Sequence, residues 1–262
     1  MVDTWPVRGR VMLAVVDGLQ ERPTEAADAI GSAARSGRGR APGASYVKVV
    51  LVVFGVLFVF LALVAGRADG PTGVDSSVSD WLASNRSDAL IGLMEVWTHA
   101  GSSAAIWAVG CVCITVGVAT RRWSWFWTIV PTAAASGITA NLLKGVFDRP
   151  RPTAPVALRD FLGTSFPSGH AATASALIGA IALVWAWERP GRARLAAVCW
   201  LVITLGVDLS RMVLGAHWLT DVTAGHLFGS CWVAVAALCG KRPNATDPSR
   251  AVENGVPTDL GG

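Results

Sequence analysis

Charge is scarce in this sequence. Asp, Glu, Lys and Arg make up 15% of its 262 residues, against 52% that are apolar. Soluble domains run nearer a quarter charged, so the shortage excludes an ordinary water-facing domain and predicts a chain embedded in lipid. Tyrosine is nearly missing, with one copy against twelve Trp. Trp107, Trp123, Trp125, Trp127, Trp187 and Trp218 fall near the ends of apolar runs, where an interfacial belt places them. The net charge of +4 is spread over several loops, with no basic stripe interleaved with aromatics, which excludes nucleic acid as a partner. The five cysteines (Cys111, Cys113, Cys199, Cys231, Cys239) are odd in number and lie inside apolar segments. That arrangement suits neither a disulfide framework nor a zinc site, and they read as small hydrophobes. A cleavable leader is also missing, because no apolar stretch follows the start directly. Residues 1–46 read as a flexible, polar tail.

What is present is a series of apolar runs. They cover Val47–Ala65, Ala104–Thr120, Trp123–Leu143, His170–Trp187, Leu195–Ser210 and Trp218–Cys239. Each approaches the ~20 residues a helix needs to cross ~30 Å of hydrocarbon. Only helices satisfy their own backbone at these lengths, so the expected fold is all-α, with six membrane-spanning helices over residues 47–240. Residues 241–262 form a second tail. The stretch around Met94, Glu95 and Trp97 reads as a short helix at the interface.

Basic residues orient the chain. The six Arg of the first tail, Arg121-Arg122, the group Arg189, Arg192 and Arg194, and Lys241-Arg242 all fall on one side of a six-span arrangement. The opposite side carries Asp69, Asp75, Asp80, Asp88 and Glu95 against Arg67 and Arg86. Both termini are therefore expected in the cytoplasm. One outer loop breaks the pattern, with Lys144, Arg149, Arg151 and Arg159 against Asp148. Topology disfavours these charges there, which points to function.

Three clusters sit at the outer ends of the last four spans. The first is Lys144, six residues, then Arg151-Pro152. The second is Pro167-Ser168-Gly169-His170. The third is Ser210-Arg211, five residues, His217, three residues, Asp221. His217 and Asp221 are four apart and share a helical face, so Asp221 can orient the imidazole and leave its other nitrogen free to attack. Lys144, Arg151 and Arg211 supply three cations suited to the oxygens of a transferring phosphoryl group, with no acidic cluster for magnesium. Ser168 and Gly169 allow close approach to a helix N-terminus, itself an anion site, and His170 on the first turn can act as general acid. Of the other two His, His226 reads as a helix–helix hydrogen-bonding residue and His99 as an interfacial loop residue. Asp208, three residues from Arg211, is expected to brace it.

These clusters resemble the three-part signature of the type 2 phosphatidic acid phosphatase family, which is itself similar to vanadium haloperoxidases and bacterial acid phosphatases. All the signature positions from Lys144 to Asp221 are matched, in order. The resemblance implies a six-helix bundle whose active site faces away from the cytoplasm. It implies that His217 attacks phosphorus, Asp221 orients it, and His170 protonates the leaving group. Lys144, Arg151, Ser168, Gly169 and Arg211 would hold the phosphoryl oxygens without metal or cofactor. The spacing selects Arg151 over Arg149 from the run Arg149-Pro150-Arg151-Pro152. Arg149 is then expected to support the site or face lipid headgroups, with Asp148 as its local partner.

The expected activity is hydrolysis of a lipid phosphate, either phosphatidic acid or an isoprenoid (di)phosphate, in a bacterial plasma membrane. Phosphotransfer between lipids and non-catalytic lipid binding or transport stand as alternatives. Substrate choice is expected to rest on the loop Thr153–Ser165 and the groove facing lipid. Gly225 and Gly229 permit close helix contact inside the bundle, and nothing in the sequence sets an oligomeric state.

Overall fold

The computed structural model describes residues 43–121 and 123–240. The two expected tails lie outside these residues, apart from positions 43–46, as do Arg122, Lys241 and Arg242. Every element among the described residues is helical. In chain order they are α1 (Ala44–Val64), α2 (Gly73–Asn85), α3 (Asp88–Trp97), α4 (Ser103–Thr120), α5 (Ser124–Lys144), α6 (Gly169–Glu188), α7 (Ala193–Val213) and α8 (Leu219–Cys239). Short 3-10 turns at Thr98–Gly101 and Pro190–Arg192 precede α4 and α7.

Five helices, α1, α4, α6, α7 (with its preceding turn) and α8, are long and apolar enough to cross a membrane. The chain is thus an integral membrane protein. Helix α5 has the length, at 21 residues, but carries Pro131 and several Ser and Thr. Thr132, Ser136 and Thr139 among them find partners within the protein. Thr132 Oγ1 donates to Thr128 O (2.6 Å) beside the proline, and Ser136 Oγ donates to Ala172 O of α6 (3.1 Å). Such bonds let a proline-bearing helix persist in an apolar environment.

The expected interfacial stretch is larger than one helix, since α2 and α3 both fill it. Each begins at a side-chain cap. Thr72 and Asp75 form a reciprocal capping box on α2, and Ser87 Oγ accepts from Leu90 N (3.3 Å) on α3. Leu82 of α2 and Met94 of α3 are buried with Val213 and Leu214 at the end of α7. This apolar contact seats the α2–α3 unit over the end of the bundle that bears the site.

Helix α6 is central and packs against α5, α7 and α8, whereas α1 packs on α8 and turns most of its residues outward. Lipid offers little hydrophobic drive between helices, so close approach of small residues is what binds them. On α6, Ala171, Ala172, Ala176 and Ala180 are buried. Facing them, a Cβ on Gly225 of α8 would lie 2.4 Å from Ser168 O, and one on Gly229 would lie 2.3 Å from Ala172 O. Both glycines therefore serve the inside of the bundle, as expected. Ser175 and Ser230 hydroxyls meet across the same seam at 3.0 Å.

Two expectations about single residues are corrected. Trp218 is buried and donates from Nε1 to Pro150 O (2.9 Å), so it is not part of an interfacial belt. Trp107 and Trp127 are exposed on the helix surface, at the positions a belt requires. Asp208 does not brace Arg211. Its Oδ2 lies 2.8 Å from His226 Nδ1 on α8, which gives His226 the interhelical bond expected of it.

Candidate active site

The site grows from four chain ends that meet at one end of the bundle. Lys144 closes α5, Ser168 caps α6, Arg211 lies in the last turn of α7, and His217 precedes α8. A backbone bond from Ser168 N to Asp221 O (3.0 Å) ties the start of α6 to α8. The turn from α7 to α8 passes through Gly215, whose φ is +67°. A side chain there would be strained and would meet Val156 O at 2.3 Å, so glycine is required for this close approach. The turn then closes on Arg211 O, which accepts from Ala216 N (2.9 Å) and His217 N (3.3 Å).

His217 is 2% exposed. Its Nε2 lies 3.2 Å from Arg151 Nη1. A guanidinium only donates, so Nε2 must accept and the ring proton sits on Nδ1. On that side the structure departs from the simple His–Asp pair. His217 Nδ1 and Asp221 Oδ2 are 3.6 Å apart, too far for a good hydrogen bond. The Ser165 hydroxyl stands between them, 3.4 Å from Nδ1 and bonded to Asp221 Oδ2. An ionised carboxylate only accepts, so Ser165 donates to Asp221 and can take the Nδ1 proton on its lone pair. The tautomer with Nε2 free is thereby set from both sides of the ring. Burial drives the imidazole pKa down to about 3. Asp221 pulls it upward, while Arg151 and Lys144 press it down. Near neutral pH the ring is uncharged and able to attack.

Lys144 and Arg151 are held by backbone carbonyls of the loop before α6 and of the turn before α8. Lys144 Nζ donates to Thr164 O (2.9 Å), and Arg151 donates to Gly163 O (3.0 Å) and Ala216 O (2.7 Å). Arg211 is buried, donates from Nη1 to Thr98 Oγ1 (2.9 Å) and lies 5.4 Å from the Phe161 ring centroid, while its Nε has no partner. His170, on the first turn of α6, has Arg211, Arg151, Lys144 and His99 as its charged surroundings. A Cβ on Gly169 would come within 4.0 Å of Lys144 Cε, so the α6 N-terminus adjoins these cations. All eight residues singled out in the sequence thus gather at one end: His217, His170, Asp221, Lys144, Arg151, Ser168, Gly169 and Arg211.

Three further residues belong to the cluster. Ser165 is one. Arg149 is another, and its expected pairing with Asp148 is corrected. It is 1% exposed and bonds Asp221 Oδ1 at 2.5 Å and Asp75 Oδ2 at 2.6 Å. Asp75 is the third, from the start of α2. It also accepts from Thr220 N (2.9 Å). Burial alone would raise the Asp75 carboxyl pKa. The bonds from Thr220, Arg149 and Thr72 outweigh it and hold the pKa below the usual value. Only the capping spacing Thr72-x-x-Asp75 hinted in the sequence at anything special about this one acid.

Fold and site together define a helical membrane protein with a buried histidine seated among fixed cations. The comparisons with known proteins place that class. Residues 125–244 match the PAP2 superfamily. The lipid A 1-phosphatase of Rhizobium johnstonii is 35% identical over 116 residues, which cover 41% of this chain and 44% of that protein. The undecaprenyl-diphosphatase of Sulfolobus acidocaldarius is 25% identical over 218 residues, 79% of this chain and 96% of that one. The chain spans less than half the length of the Rhizobium relatives, 44% and 47%. Among solved structures, a transmembrane PAP2-type phosphatidylglycerolphosphate phosphatase from Bacillus subtilis superposes with a TM-score of 0.65. It is 23% identical and covers 71% of this chain and 93% of its own. Aquifex aeolicus LpxE gives 0.53 at 16% identity, over 65% and 98%. At these identities the structures speak for the fold alone.

Proposed function

We propose that this protein is a metal-independent lipid phosphate phosphatase that works through a phosphohistidine on His217. One observation carries the reading: a buried, neutral His217 presents Nε2 toward Arg151, within a cluster of three cations and a helix N-terminus. That arrangement is complementary to an equatorial phosphoryl group under in-line attack.

In the first step His217 Nε2 forms a bond to phosphorus, and the bond from phosphorus to the leaving oxygen breaks. His170, protonated, gives its proton to that oxygen. The imidazole becomes cationic as it takes the phosphoryl group, and its Nδ1 proton points at Ser165 and, through it, Asp221. In the second step His170, now neutral, takes a proton from water. The water oxygen bonds to phosphorus, the N–P bond breaks, and phosphate leaves with His217 restored. Lys144, Arg151, Arg211 and the N–H groups behind Ser168 and Gly169 offset the charge on the phosphoryl oxygens throughout.

The proposed topology counts α5 as the sixth span, which sets both termini in the cytoplasm and the site at the outer face. A lipid A phosphatase and an undecaprenyl-diphosphatase among the relatives favour a bacterial-type envelope lipid carrying a monophosphate or diphosphate. The test is phosphate release by the purified protein from defined lipid phosphates. His217→Ala and His170→Ala should each lower turnover by more than about 1,000-fold, with yield unchanged. Full turnover in either variant overturns the mechanism, and inhibition by chelator that magnesium reverses overturns its metal independence. A lipid product carrying the transferred phosphate would reassign the chain to phosphotransfer.

A further inference from the structure

The mechanism above uses neither Arg149 nor Asp75, yet these two are among the most deeply buried charged groups in the protein. Both side chains are fully buried, as is Asp221. Arg149 Nη1 reaches Asp221 Oδ1 (2.5 Å) and Thr220 Oγ1 (2.7 Å), while Nη2 reaches Asp75 Oδ2 (2.6 Å). Asp75 in turn takes the Thr220 N–H at the first turn of α8 (2.9 Å). The Arg149 carbonyl also accepts from Ser165 N (2.8 Å), which fixes the residue whose hydroxyl separates His217 from Asp221.

A buried ion cluster is costly unless its charges and hydrogen bonds close. Counting Asp75, Arg149 and Asp221 alone, the sum is one negative charge while His217 is neutral. It becomes zero when the cationic ring of phosphorylated His217, with its proton on Nδ1, is added, the phosphoryl oxygens being offset separately by Lys144, Arg151 and Arg211. The cluster is therefore balanced for the covalent intermediate and not for the resting enzyme, which is the direction catalysis requires.

We infer that Asp75 and Arg149 are positioning residues for the nucleophile. Arg149 holds Asp221 and Ser165 in register with Nδ1 of His217. Asp75 anchors Arg149 and the start of α8 from α2, an element outside the segment that matches the superfamily. The inference rests on the phosphatase reading for its kinetic consequence, but not for its effect on the imidazole.

The test uses the full-length protein in detergent micelles. Asp75→Asn keeps the shape and the Thr220 contact while removing the charge. It should lower kcat about tenfold, with KM changed less than about threefold and the melting temperature shifted by only a few degrees. Arg149→Gln should cost more than about 100-fold in kcat, and Arg149→Lys should recover part of that loss, since one ammonium cannot bridge both carboxylates. The second readout needs no turnover: ¹⁵N NMR of histidine-labelled protein, which reports the tautomer and protonation of His217. In the wild type the proton sits on Nδ1. In Arg149→Gln the unopposed Asp221 should let His217 take a second proton at a higher pH. A folded Asp75→Asn protein with wild-type kcat, or an Arg149→Gln protein with an unchanged His217 signal, overturns the inference. Should the wild type release no phosphate from any lipid, the proposed function fails, and the NMR comparison still decides the brace. Should Arg149→Gln fail to fold, Asp75→Asn and Arg149→Lys decide it by the same readings.

Discussion

Ser165 gives the sharpest test of how His217 is prepared for the proposed attack. Its side chain is fully buried, and its backbone N–H is fixed to Arg149 O at 2.8 Å. Replacing Ser165 with Ala removes the group that accepts from Nδ1 and leaves His217 and Asp221 3.6 Å apart. A proton on Nδ1 then has no acceptor at hydrogen-bonding distance, and Asp221 Oδ2 keeps only the Trp218 N–H at 3.0 Å. The lost bond matters most when the imidazole becomes cationic. A hydrogen bond to a charged group is worth about 1.5–3 kcal/mol. Lost wholly in the transition state, that amount lowers kcat by roughly 10- to 150-fold. Ser165 has no place among the groups that face the phosphoryl oxygens, so KM should change less than about threefold. Steady-state kinetics in mixed micelles at fixed lipid mole fraction measures both constants. A Ser165→Ala enzyme with kcat within threefold of wild type would refute the bridge and show that His217 and Asp221 close on each other directly. A rise in KM at constant kcat would place Ser165 on the substrate instead.

Other perturbations follow from the same geometry. Arg86 donates to Val156 O (2.7 Å), Val213 O (3.0 Å) and Pro155 O (3.0 Å), so it fastens the loop 153–165 to the α2–α3 corner. Arg86→Met should raise KM for the lipid about threefold to tenfold at nearly constant kcat, and limited proteolysis should cut that loop sooner. Gly225→Ala would set a Cβ 2.4 Å from Ser168 O, a backbone atom with no room to yield. It should cost about 1–3 kcal/mol of stability and most of the activity, whereas Gly55→Ala on α1, where a Cβ meets nothing within 4 Å, should be silent in thermal melts and assays. His217 also links stability to pH. Its folded pKa of about 3 lies below the ~6.5 of an unfolded histidine, so its share of stability is complete above pH 6.5 and is lost as pH falls toward 3. Between pH 6.5 and 5 this amounts to about 2 kcal/mol. His217→Asn should flatten that part of the pH–stability curve, and an unchanged curve would contradict a buried neutral ring.

The residues proposed to carry the chemistry were legible in the sequence because their spacing is local. Lys144 ends α5 and Arg151 follows it closely, Ser168 to His170 make one helix start, and His217 and Asp221 lie four positions apart in the sequence. The apolar runs likewise marked the long helices, whose ends moved by only a few residues. What spacing does not report is pairing between distant segments. Asp75 looked like any of five acids in one loop, because its partners Arg149 and Thr220 are 74 and 145 residues away. Asp208 was assigned to Arg211, its neighbour on one helix, whereas its partner faces it from α8. Trp218 fitted the interfacial pattern by position, although its N–H turns inward to a carbonyl.

The run Arg149-Pro150-Arg151-Pro152 shows how the structure resolves what the sequence left open. Proline denies this segment a helix and extends the residues before it. Extended residues two apart are separated by about 6.6 Å and project on the same side. The two arginines reach the two ends of one His–Asp unit: Arg149 to Asp221 and Arg151 to His217 Nε2. Choosing one arginine as functional and the other as incidental therefore misreads the repeat. Arg151 faces His217 Nε2, Arg149 secures the Asp221 carboxylate behind it, and the prolines hold the spacing that lets both do so.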